Sequence, residues 1–106
     1  MSRGSTVTAQ EVMAITRAPA ARGRGRHVIA LSVAWGGGRA PSGDAQLTRV
    51  DEDGESTWRY QESSSLWDRP QIEQAVRPDQ AVRLARQLTG LARIHGARIS
   101  RTDRTY

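Results

Sequence analysis

Alternation of bulky and small residues is clearest between His27 and Trp35. In HVIALSVAW, Ile29, Leu31, Val33 and Trp35 fall on one side of an extended chain, and Val28, Ala30, Ser32 and Ala34 on the other. The pattern predicts a strand whose small face lets a helix or a second sheet approach closely. AQLTRV and STWRYQES flank DEDGE and predict a hairpin, with Asp53-Gly54 supplying the positive-φ pair of a tight turn. Leu47 and Val50 point to opposite faces of its first strand, so only one of them serves the core. After residue 77 the period changes to 3.6. In PDQAVRLARQLTGLARIHGA, Ala81, Leu84, Ala85, Leu88, Leu91, Ala92 and His95 form one apolar stripe. Pro78 suits the first turn, Asp79 the positive end of the helix dipole, and Gly96 a left-handed cap.

The rest of the chain is patterned more weakly. STVTAQEVMAITRA, residues 5–18, fits a short helix capped by Ser5 or Thr6, with Val12, Met13 and Ile15 on its buried side; its β-branched residues fit a strand as well. PAARGRGR reads as a linker and GGGRAPSGD as a loop. SSSLWDRPQIEQAVRP reads as irregular chain or a short helical turn, with Leu66 and Trp67 packed as a plug. RISRTDRTY adds a last edge strand anchored by Ile99. The sum is an α+β fold: a small antiparallel sheet of three to four strands, one long C-terminal helix on one face, and a short N-terminal helix as a further element. Residues 1–26 form a basic N-terminal arm, flexible or partly helical, and 27–106 a single domain. The element order is similar to that of double-stranded-RNA-binding domains. That family opens its second helix with a lysine-rich cluster over the phosphates, whereas this helix opens with PDQAV and the chain has no lysine. The resemblance ends at element order.

Composition narrows the means of stabilisation. The chain has 106 residues, three Trp, two Tyr, no Phe and no Cys. A small domain buries a modest share of its surface, and no disulfide staples this one. Association is the remaining way to bury more, which favours a homo-oligomer or a subunit docked on a partner protein. No run approaches the ~20 apolar residues of a membrane span, and MSRGSTVTAQ lacks a signal-peptide core. No membrane partner and a cytoplasmic location are the expectations.

Several chemistries are disfavoured. Without cysteine there is no thiol nucleophile and no sulfur zinc site. His27 heads a strand, and His95 sits on the helix's apolar stripe near its C-terminus, a position suited to packing and to the terminal carbonyls. A calcium loop places glycine sixth after its first acid, but Gly54 is fourth counting from Asp51. Gly38 and Gly43 have P-loop spacing, yet Asp44 and Ala45 follow where Lys and Ser or Thr should stand. No catalytic residue, metal or cofactor is expected, and the chain reads as non-enzymatic.

Charge points to a partner class. All 16 basic residues are arginine, and the net charge is +5. Residues 1–45 carry six Arg against two acids, 46–75 three against seven, and 76–106 seven against two. Such a basic–acidic–basic chain steers an anionic partner to one side. In RGRGR, glycine lets the backbone follow phosphates while the guanidiniums of Arg22, Arg24 and Arg26 grip them. Arg83, Arg86 and Arg93 lie opposite the helix's apolar stripe, and Arg98, Arg101 and Arg104 continue the flank into the tail. Trp58 and Tyr60, two apart on one strand face, suit base stacking on an open sheet or, equally, the core of a Phe-less protein. The leading expectation is a small nucleic-acid-associated protein whose arm and helix–tail arginines gather on one surface, away from the hairpin carboxylates. The alternative is a protein-interaction module, a homodimer or assembly subunit, with acidic hairpin meeting basic helix.

Overall fold

The computed structural model describes residues 3–64 and 71–106. Eight elements follow one another: β1 (Arg3–Val7), α1 (Ala9–Arg17), β2 (Arg26–Gly37), β3 (Ala40–Glu52), β4 (Glu55–Ser64), β5 (Gln71–Val76), α2 (Pro78–His95) and β6 (Ile99–Thr105). The strands make one sheet in the order β1-β6-β2-β3-β4-β5, every neighbouring pair antiparallel. The architecture is α+β, but the sheet has six strands where three to four were expected.

The expected hairpin is β3–β4. Asp53 and Gly54 sit at φ 54° and 78°, the paired left-handed residues of a turn that matches strand twist. Leu47 is fully buried and Val50 only half so. Strand alternation in β2 puts Ile29, Leu31 and Val33 in the core, and α2 lays Ala81, Leu84, Ala85, Leu88 and Ala92 over them. Alanines at three of those five positions keep the helix close to the sheet, leaving room for Trp58 and Tyr60 beneath it.

Four expectations are corrected. GGGRAPSGD is not a loop: β2 and β3 run through it with only Gly38 and Arg39 between them, so the pairing of the two strands carries the glycines into the ladder despite their entropic cost. Gly36, at φ 83°, makes the bulge there, since a Cβ would collide with the Pro41 carbonyl. Gln71–Val76, read as irregular or helical, is strand β5, paired to β4; Leu66 and Trp67 lie outside the described residues, as do residues 1 and 2. β6 is an interior strand rather than an edge, because β1 pairs along its outer side. Residues 5–18 hold both alternatives in succession, a strand through Val7 and a helix from Ala9, and the cap is Thr8 rather than Ser5 or Thr6. Thr8 Oγ1 accepts from the Glu11 N–H at 3.1 Å while Glu11 Oε1 accepts from the Thr8 N–H at 3.4 Å, a reciprocal capping box. Val7 and Val12 are buried, so this part of the expected arm belongs to the core.

Both helices lie on the same face of the sheet. α1 runs from the end where β1 stops to the end where β2 starts, and α2 runs in the opposite sense. The loop 18–25, the β3–β4 turn, the start of α2 and Tyr106 share one end of the sheet; Trp35, His95 and the β2–β3 turn mark the other. At that second end the His95 imidazole stacks on Trp35 with centroids 4.5 Å apart and planes 4° from parallel. His95 thus remains exposed and packs on an indole, rather than closing the apolar stripe. Trp35 in turn lies over its cross-strand partner Gly43, where a Cβ would come within 2.5 Å of Cζ2. His27 and His95, set at opposite ends of β2, are on the order of 25 Å apart by strand rise and form no pair.

Candidate nucleic-acid interface

The outer side of α2 is the most uniformly cationic surface formed by one element. Advancing 100° per residue, Arg83, Arg86 and Arg93 fall within an arc of roughly 80°, opposite the buried alanine–leucine stripe. All three are exposed, as is Arg98 just past the Gly96 cap. Arg83 and Arg93 stand about 15 Å apart along the axis. From Gln80 to Thr102 the chain contains no Asp or Glu, so beyond its first turn the helix carries no counter-charge of its own. In its first turn, Asp79 is bound by Arg77 at 3.5 Å. Ile94, 73% exposed, interrupts the cationic surface with an apolar contact point. The helix ends on Gly96 at φ 61°, whose N–H reaches the Ala92 and Arg93 carbonyls.

The arm arginines lie elsewhere. Arg22, Arg24 and Arg26 are exposed at the end of the sheet that also carries the β3–β4 turn. Arg26 stands directly across from Glu52, and its guanidinium lies 5.8 Å from the Tyr106 ring centroid. The expectation that the hairpin carboxylates stay clear of the arm is therefore corrected: antiparallel pairing of β2 with β3 brings Glu52, Asp53 and Glu55 to the same end. Arg101 leaves the cationic set too. Alternation along β6 turns it inward with Ile99, where it is half-buried and its Nε donates to Asp103 at 2.9 Å. Arg104 alternates to the uncovered face and is exposed.

Trp58 and Tyr60 are not a stacking platform. They are 5% and 2% exposed, covered by α2, and belong to the core. Tyr60 Oη donates to Glu62 Oε1 at 2.6 Å, and Gln87 of α2 donates to both oxygens. This small network ties the helix to β4 and leaves the phenol no role toward a base.

Sequence reasoning passed over the most heavily bonded polar group, Arg49 with Asp51. Arg49 and Asp51 are 2% and 4% exposed. Arg49 Nε donates to Asp51 Oδ1 at 2.8 Å, while Nη1 and Nη2 donate to the carbonyls of Ile15 and Pro19. Asp51 also accepts from Ser56 Oγ at 2.6 Å and from the Ala21 N–H at 2.9 Å. The guanidinium lies 5.4 Å from the Trp58 ring centroid. Burial alone would push the Asp51 carboxyl up. The bonds from Arg49, Ser56 and Ala21, with the Arg49 charge, outweigh it and hold the carboxyl below its ordinary 3.8. The pair fastens the end of α1 and the loop after it onto the sheet. Its signal was present in the alternation: Ala45, Leu47, Arg49 and Asp51 share a face, so a buried Leu47 implies an inward ion pair.

Among the described residues, no group of three His, Asp or Glu side chains is placed to hold a metal ion, and no helix is long and apolar enough to cross a membrane. In comparisons with known proteins, no family model, no curated protein and no solved structure matches this chain.

Proposed function

We propose that this is a small non-enzymatic cytoplasmic protein that associates with nucleic acid through the outer face of α2. The observation that carries the reading is the acid-free stretch from Gln80 to Thr102, which sets Arg83, Arg86 and Arg93 on one exposed helix face and Arg98 just beyond it. Guanidiniums spaced along a rigid rod meet successive phosphates, and their fork geometry takes two oxygens each. With Trp58 and Tyr60 buried, the mechanism is phosphate contact without base readout, so affinity is insensitive to sequence. The arm contributes less, because Arg26 faces Glu52 across the β2–β3 ladder.

Fluorescence anisotropy with unrelated duplex DNA and RNA probes, across a salt series, tests the reading. Replacing Arg86, Arg93 and Arg98 together by Ala is expected to weaken every probe about equally. Each phosphate that is no longer neutralised lowers the slope of log K against log salt by about 0.9. The triple variant at Arg22, Arg24 and Arg26 is expected to change both quantities less. No binding by the unaltered chain at low salt, or an unchanged slope in the α2 variant, overturns the proposal.

A further inference from the structure

The sheet face opposite the helices is covered by none of the described elements. We infer that it is the contact surface of a homodimer in which two copies pack sheet to sheet.

Register places Ser100, Ser32, Gln46 and Gln61 in one cross-strand row through the middle of this face, with Ala30 and Thr48 beside it. All six are uncharged, and Ser32, Ala30 and Thr48 are half-buried already by their neighbours. A charge-depleted centre within a charged rim is how protein–protein contacts are organised. The rim here is polarised along the strands. Asp44 lies on one side of the central row, held by Ser63 Oγ. Arg59 and Arg104 lie on the other, with Arg26, Glu52 and Glu55 one row farther out at the margin of the face. Turning one copy by 180° about an axis in the sheet plane and across the strands sets each acidic end over the other copy's basic end. That contact is made twice, as an isologous interface requires.

Size and shape agree with a second copy. Five strands at ~4.8 Å spacing and four rows at ~6.8 Å give a face of roughly 600 Å² per copy, about 1,200 Å² for two, the lower edge of specific interfaces. The surface is not flat. It holds two hollows of about 350 and 360 Å³, and Gln46 borders both of them. A face carrying both a ridge and the hollows beside it can interlock with its own two-fold copy, at the aligned packing angle of two twisted sheets. Val28, Ala30, Ala34 and Val50 give its described part a sparse aliphatic content, which suits a dissociable dimer rather than an obligate one. A sheet-to-sheet dimer leaves both α2 faces outward and untouched.

Sedimentation of the full chain across concentrations from roughly 1 to 200 μM, the range where an interface at the small end of the size scale dissociates, tests the inference. A concentration-dependent dimer is expected. Ala30→Glu and, separately, Thr48→Glu bring a carboxylate toward the other copy's Asp44 and are expected to weaken it more than tenfold, with far-UV circular dichroism and dilute-solution Tm unchanged. Asp44→Arg is expected to weaken the dimer as well, and adding Arg59→Asp and Arg104→Asp to restore it. A monomer at every concentration overturns the inference. So does a dimer that survives both Ala30→Glu and Thr48→Glu, which would assign association to another surface such as the β1 edge.

Discussion

Asp51→Ala removes the carboxylate that balances Arg49 inside the protein. Three hydrogen bonds go with it, from Arg49 Nε, Ser56 Oγ and the Ala21 N–H. The Arg49 side chain, 3% exposed, keeps its two carbonyl acceptors but loses its counter-charge. Breaking a buried pair from one side costs about 3–5 kcal/mol, because the remaining ion stays desolvated. Domains of this length carry roughly 5–15 kcal/mol in all. At about 4–8 °C per kcal/mol, the expected fall in Tm is roughly 12 °C at the least and 40 °C at the most. Scanning calorimetry or thermal circular dichroism at neutral pH measures it directly. The double variant Arg49→Met with Asp51→Ala supplies the control. It removes the bare charge and leaves only neutral groups to rehydrate: the Ile15 and Pro19 carbonyls, the Ala21 N–H and the Ser56 hydroxyl. It is expected to be more stable than Asp51→Ala alone. A fall in Tm below about 5 °C for the single variant would refute the account of Arg49 as a buried, fully engaged ion. So would a double variant less stable than the single.

The same pair predicts the acid response. Asp51 is held below 3.8 when folded, so the unfolded chain takes up this proton more readily. The stability it contributes is complete above about pH 5 and is lost as pH falls through the folded value. Melting curves between pH 2 and 6 should show a slope that Asp51→Asn reduces. Gly43→Ala pushes a methyl to 2.5 Å from Trp35 Cζ2 and 2.7 Å from the Ser63 carbonyl. The indole must move off His95, so a loss of about 1–3 kcal/mol is expected together with a changed tryptophan emission. Thr8→Ala removes the Oγ1 acceptor of the Glu11 N–H, the side-chain half of the α1 capping box, and is expected to cost about 1 kcal/mol in chemical denaturation, with the midpoint shifted and the slope unchanged.

The long-range partners of each element explain where the sequence was legible. β2, the β3–β4 hairpin and α2 carry signals set within a few residues: a period of two, a pair of left-handed turn residues, a period of 3.6 closed by proline and glycine. Backbone sterics and local capping enforce those wherever the chain goes, and all three elements stand close to where the pattern put them. β6 offers only Ile99 as an apolar anchor, followed inward by Arg101 and Asp103, which satisfy each other. Nothing local says that such a strand lies inside a sheet. That position follows from β1, a five-residue strand whose pattern is lost beside the helix that follows it. The candidate site divides in the same way. The α2 arginines could be read from helical spacing alone, because exposure on a helix is fixed by the opposite apolar stripe.

By itself the sequence determined the α+β class, the best-patterned strands, the long helix with both of its ends, and the cationic side of that helix. Tertiary structure decided the number and order of strands and the burial of Trp58 and Tyr60 beneath α2. It also decided the inward turn of Arg49, Asp51 and Arg101, and the meeting of the arm with the acidic turn. The reason is that local patterns report which side of an element avoids water. Which distant element removes that water, and which charges it brings together, depends on chain pairing over many tens of residues, from β1 with β6 to β2 with β3.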